Sequence, residues 1–102
     1  MKIKTREIEG YLIFDLEEDI SLDNTSDLEH EIYHGQGGDF SKVVLNIRKV
    51  DYINSFALGV LIKIMDSVEK SGKEFFLMNA SENVQTLLRV TGVLDKFKFF
   101  EG

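Results

Sequence analysis

The chain has 102 residues, with 12 Lys plus Arg against 18 Asp plus Glu, a formal net charge of −6 with both histidines neutral. It has no cysteine, which excludes disulfides, thiol catalysis and zinc sites built on sulfur. The acidic balance argues against nucleic acid, whose phosphates need clustered Lys and Arg.

The length suits one domain, residues 1–102. No segment has the ~20 consecutive apolar residues that cross a bilayer, so no membrane insertion is expected. Lys2 and Lys4 are followed by no apolar signal region. The chain is therefore expected to be complete and cytoplasmic.

Ile3 to Ile8 alternates loosely and Glu9-Gly10 reads as a turn. Tyr11 to Leu16 is a near-continuous apolar run with β-branched and aromatic residues, so the two segments predict a β-hairpin. The acidic stretch Glu17-Glu18-Asp19 follows. Ser21, Asp23 or Asn24 is placed to cap a helix running to about Tyr33, with Leu22, Leu28 and Ile32 as its anchors. Gly35-Gln36-Gly37-Gly38 ends that helix in a loop. Lys42 to Ile47 is the best central strand, and its two apolar faces suit a parallel strand covered by helices.

The connection from Arg48 to Asn54 has Val50 and Ile53 pointing inward. Ser55 to Ser71 is the strongest helix, stopped by Gly72. At about 100° per residue, Ala57, Val60, Leu61, Ile64, Met65 and Val68 share a broad apolar face, with Leu58 at its border. Lys63, Asp66, Ser67 and Lys70 lie opposite. Glu74 to Met78 is a strand, followed by a short helix capped by Asn79 or Ser81, with Val84, Leu87 and Leu88 inward and Gly92 as its stop. Phe97, Phe99 and Phe100 close the chain as an edge strand or a packed tail. The alternation predicts an α/β domain, with α-helices packed against a mixed, mostly parallel β-sheet of four to five strands.

Phe56 and Ile62 break the wheel. Phe56 projects from the first turn beside Ser55, and Ile62 lies on the polar side near Ser55 and Gly59. The head of the helix thus offers a hydroxyl, an aromatic ring and a bare backbone patch, a combination suited to a contact site. Phe56 has a plainer alternative, folding back onto the Val50–Ile53 connection or the last helix. Ser55 likewise reads either as the helix N-cap or as a phosphorylation site, since a helix N-terminus suits a phosphate.

Val43-Val44-Leu45-Asn46-Ile47, followed by Val50-Asp51-Tyr52-Ile53-Asn54-Ser55-Phe56-Ala57-Leu58-Gly59-Val60-Leu61, resembles the signature of the STAS domain family, which includes bacterial anti-sigma factor antagonists. The family pattern is an apolar strand, a short link, then Asp-Ser-Ser-Gly-Leu-Gly opening a helix. The resemblance extends over nearly the whole chain. It implies partner switching: an anti-sigma factor serine kinase phosphorylates the first motif serine, the unphosphorylated form captures that kinase and frees a sigma factor, and a serine phosphatase resets the switch. Ser55 stands at the phosphorylated position. Asn54, Ser55, Phe56, Gly59, Ile62 and Lys63 are the partner-binding residues so expected. The chain departs from the pattern at Asn54 for aspartate, Phe56 for serine, Ala57 for glycine and Asn46 for a strand aspartate. In the family's early Gly-Glu-Leu-Asp pattern, Glu18 stands at the glycine and Ser21 at the aspartate.

Other function classes find less support. Gly-x-Ser-x-Gly is absent around Ser55. The glycine-rich loop is not a phosphate loop, because no Lys-Ser or Lys-Thr follows it. His30 and His34 stand four apart and could hold a metal weakly with Asp27 or Glu31, but exposed histidines also suit a helix C-terminus. The expectation is a regulatory module with no catalytic residue, metal or cofactor. The alternative is a STAS domain without phosphorylation, an accessory subunit of a transporter or signalling scaffold. The acidic stretch is read as a solvated face or as a surface steering a basic partner.

Overall fold

Glu9 and Gly10 both take positive φ, 48° and 86°, and form a two-residue turn whose twist suits a hairpin. It joins β1 (Ile3–Ile8) to β2 (Tyr11–Leu16), which pair antiparallel with Ile8 opposite Tyr11. The computed structural model describes residues 2–35 and 40–100; the glycine-rich turn expected at 36–38 lies outside them.

Three further strands each follow a helix. They are β3 (Lys42–Asn46) after α1 (Thr25–Gly35), β4 (Glu74–Met78) after α2 (Ser55–Lys70), and β5 (Lys98–Phe100) after α3 (Glu82–Val90) and a short 3-10 turn. The sheet order is β1-β2-β3-β4-β5, with every pair after the first parallel. The final phenylalanines thus include an edge strand, and Phe97 is buried just before it.

Helix stops follow the glycines. After α2, Gly72 N–H donates to Glu69 O and Lys73 N–H to Val68 O; after α3, Gly92 and Val93 repeat the pattern on Arg89 and Leu88. These paired bonds satisfy carbonyls that a helix end leaves open. Ser81, rather than Asn79, caps α3 by accepting from Val84 N–H at 3.2 Å.

The main core lies between one sheet face and the three helices. Leu12, Phe14, Val43, Leu45, Phe75 and Leu77 meet Leu28 and Ile32 of α1, seven residues of α2, and Val84 and Leu88 of α3. Leu58 joins that set. Leu87 is partly buried against it. Gly35, the last residue of α1, approaches so closely that a Cβ there would stand 2.7 Å from Phe14 Cζ.

Two expectations are corrected. Leu22 does not anchor α1: it is 76% exposed, in the turn before Thr25. Asn24 is buried there instead. Its Oδ1 accepts from Ser21 N–H at 2.9 Å, and its Nδ2 donates to Glu18 Oε1 and Asp19 O at 3.1 and 2.8 Å. The second correction concerns β3. Among the described residues helices cover only one of its faces, because α1, α2 and α3 pack in the same core. On the other face Ile13, Val44 and Met78 are buried beneath Tyr11, Phe76 and Phe100. Tyr11 and Phe100 meet edge to face at 4.9 Å.

That second face ends in polar groups. Asp15 accepts from Arg6 Nε and Nη2 at 2.6 and 2.9 Å and from Asn46 Nδ2 at 2.7 Å. Asn46 Oδ1 accepts from Asn79 Nδ2 and Arg48 N–H. Burial opposes ionisation of Asp15, but the bonds from Arg6 and Asn46 and the charges of Arg6 and Lys4 outweigh it, holding its carboxyl below the usual value.

Candidate functional site

The segment between β3 and α2 is held from beneath and presented from above. Ile47, Val50 and Ile53 are buried, and Ile47 N–H donates to Met78 O at 2.9 Å while Val50 N–H turns back to Ile47 O at 3.0 Å. Between these anchors Asp51, Tyr52 and Asn54 face outward, with Tyr52 63% exposed.

Asn54, not Ser55, is the N-cap of α2. Its extended backbone (φ −99°, ψ −179°) lets Oδ1 accept the Ala57 N–H at 2.8 Å, while its carbonyl accepts from Leu58 N–H at 2.9 Å. Ser55 is therefore the first helical residue, exposed and relieved of the capping task. The first turn carries no acidic residue, so no carboxylate of α2 itself competes for its free N–H groups and positive dipole end.

Around that hydroxyl, Phe56 keeps 40% of its surface exposed and Gly59 faces open space, with nothing within 4 Å of a built Cβ. Ile62 is half-buried against the core, so it belongs to the polar face only in part. Lys63 is exposed and reaches Glu29 of α1 at 3.4 Å. Gly59, Ile62 and Lys63 line a shallow groove of about 480 Å³, with Tyr33 of α1 opposite. Asn54, Ser55, Phe56, Gly59 and Lys63 thus form an exposed strip along one helix, with Ile62 half sunk at its edge.

The acidic stretch is more than a solvated face. Asp19 Oδ1 accepts from Asp51 N–H at 2.8 Å, so the loop after β2 holds the segment that leads into Ser55. Glu17 pairs with Lys49 and Lys4. The Lys49 hydrogen bond lowers its pKa, against some desolvation and with Lys4 assisting. Sequence reasoning missed these ties; the run of turn-forming polar residues from Ser21 to Asp27 offered a signal of a bonded loop, but not its partners.

The histidines at 30 and 34 do meet, ring centroids 4.3 Å apart and edge to face. Among the described residues no group of three His, Cys, Asp or Glu is placed to hold a metal ion. Among them, too, no helix is long and apolar enough to cross a membrane.

Comparison with known proteins gives a consistent picture. The model of the STAS domain matches residues 2–102. A candidate anti-sigma factor antagonist of Thermotoga maritima is 35% identical over 54 residues, covering 53% of this chain and 48% of the relative. The chain spans about half the length of the curated relatives it matches. A crystal structure of a Thermotoga maritima protein of the same description superimposes with a TM-score of 0.84 at 22% identity, over 98% of this chain and 86% of that one. The Bacillus cell fate determinant SpoIIAA in its phosphorylated form gives 0.70 at 12% identity, over 98% and 92%. At these identities the structural likenesses speak for the fold.

Proposed function

Because the chain belongs to the STAS domain family, we propose that it is an anti-sigma factor antagonist, switched by phosphorylation of Ser55 in a partner-switching pathway. It has a regulatory role and no reaction of its own. Unphosphorylated, it binds an anti-sigma factor kinase through Asn54, Ser55, Phe56, Gly59, Ile62 and Lys63, and the sigma factor is released. The kinase transfers the γ-phosphoryl group of ATP to Ser55 Oγ; the new P–O bond replaces the bond to ADP, and the hydroxyl proton passes to a base on the kinase. A serine phosphatase hydrolyses the ester and restores the hydroxyl.

One observation carries this reading: Ser55 is exposed at the first position of α2 while Asn54 does the capping. Phosphorylation therefore need not break the helix cap. The phosphate adds about −2 charge, beside an exposed Phe56 and an open Gly59. An apolar contact there would have to desolvate that charge, so the partner leaves while the fold persists. The relative's description as an anti-sigma factor antagonist supports the partner class.

Incubation with candidate anti-sigma factor kinases and ATP tests it. One phosphate per chain is expected, absent in Ser55→Ala, with binding restored by the phosphatase. Ser55→Asp should bind the kinase more weakly than the unmodified chain. No phosphate, together with stable co-purification of a membrane or scaffold subunit, would favour the accessory-subunit role instead.

A further inference from the structure

We propose that the sheet face opposite the helices holds a binding site for a small, uncharged aromatic molecule. A cavity of about 230 Å³ opens there, lined by Arg6, Ile8, Tyr11, Ile13, Met78 and Phe100. It is on the other side of the sheet from α2, so it is independent of the role proposed for Ser55.

The cavity follows from the topology. Strands β2 to β5 are parallel, and such strands are ordinarily apolar on both faces because helices cover both. Here the second face is apolar, and among the described residues no helix lies over it. The rings of Tyr11, Phe76 and Phe100 close over Val44, which is fully buried. They do not close over the side next to β1, where Ile8 remains 47% exposed. A pocket is left between the aromatic cluster and β1.

Size and lining set the class of occupant. An apolar cavity of about 150 Å³ lined by aliphatic and aromatic side chains stays dry and takes up benzene. The space here is larger and opens to solvent beside Ile8, so one ring or two fused rings fit with one edge left in water. Five of its six lining residues are Ile8, Tyr11, Ile13, Met78 and Phe100, offering aromatic edges and faces and a thioether, all of which favour a ring. The charged one, Arg6, is engaged by Asp15 through both Nε and Nη2. The pair is close to neutral, so it gives an anionic ligand little gain, while the guanidinium plane still stacks on a ring.

Titration of the full chain with indole, followed by backbone and methyl NMR, tests the proposal. Saturable shifts confined to the lining residues Arg6, Ile8, Tyr11, Ile13, Met78 and Phe100 are expected, with a Kd of about 1 mM or tighter. Indole-3-acetate, the same ring carrying a carboxylate, should bind about tenfold more weakly or worse. Ile8→Trp, which fills the mouth of the cavity from an exposed position, should abolish the shifts. If that variant does not fold, the comparison of the two ligands on the unaltered chain decides. Shifts that do not saturate, that spread beyond the cavity, or that are equal for the two ligands would overturn the site. So would sedimentation as a dimer whose dissociation on dilution shifts the methyl signals of Ile8, Ile13 and Met78 without ligand.

Discussion

The carboxylate of Asp19 accepts the backbone N–H of Asp51 at 2.8 Å, joining two loops that are 32 residues apart in the chain. The first loop is shaped by Asn24, buried and bonded to Ser21, Glu18 and Asp19. The second leads into Ser55. Asn24→Leu removes the side-chain amide and leaves the Ser21 N–H and the Asp19 carbonyl without their partner. An unsatisfied buried group costs about 1–3 kcal/mol; these two are only partly buried, so urea denaturation should show a loss of about 1–2 kcal/mol in all. Asp19→Ala removes a single, more exposed bond and should cost about 1 kcal/mol. Amide exchange at Asp51 should quicken in both variants. An Asp51 amide equally protected in both would show that the two loops are not coupled.

Much of this architecture is legible in the residues, and the exceptions have a common cause. The hairpin, α2 and both glycine stops are local: alternation, helical period and a left-handed residue each act within a few positions. Leu22 and Asn24 defeat local reasoning, because an apolar side chain ends exposed and a polar one buried, for reasons of loop bonding. The cap of α2 is displaced by one residue because Asn and Ser are near-equal caps, and only backbone geometry decides between them. The uncovered face of the sheet is invisible in β3 itself, since an apolar run looks the same under a helix as under a cluster of aromatic rings. At the proposed site, Ser55, Phe56 and Gly59 are legible as a cluster from the helical wheel, whereas the grip of Asp19 on the preceding segment is a long-range contact.

The division of labour at the head of α2 makes a clean pair of variants. Asn54→Ala loses the side-chain oxygen that accepts from Ala57 N–H. It should cost about 1 kcal/mol, read as a lower urea midpoint at unchanged slope. Ser55→Ala removes an exposed hydroxyl that has no capping role and should stay within about 0.5 kcal/mol. If Ser55→Ala proved the costlier of the two, Ser55 and not Asn54 would be the working cap.

Gly35 offers a test of packing. A Cβ there would meet Phe14 Cζ at 2.7 Å and Leu12 Cδ2 at 3.0 Å, and both side chains are buried with little room to move. Helix propensity favours alanine over glycine by about 1 kcal/mol in a helix interior and by less at Gly35, the last residue of α1. Overpacking a core costs about 1–3 kcal/mol, so Gly35→Ala should come out near neutral or destabilising and Gly35→Val clearly destabilising. A Gly35→Ala protein more stable by the full propensity gain would mean that α1 moves off the sheet freely.

Asp15 and Glu17 predict how the fold responds to acid. Both carboxyls are held below their usual values. For Asp15, burial raises the pKa but is outweighed by Arg6 and Asn46; for Glu17, the Lys49 hydrogen bond leads. A carboxylate with a lower pKa folded than unfolded contributes stability above its unfolded pKa, about 4. That contribution is lost as pH falls through the lowered folded value. Unfolding free energy should therefore be insensitive to these two groups from about pH 7 to 5 and decline below about pH 4. Asn46→Ala deletes one of the bonds that hold Asp15 down. Its Asp15 should titrate at higher pH in carboxyl-carbon NMR. The stability gap between variant and parent should narrow between pH 7 and pH 3, because the parent loses the Asp15 contribution that the variant already lacks. A gap that stays constant over that range would assign the effect of Asn46 to its bonds with Asn79 and Arg48, and not to Asp15.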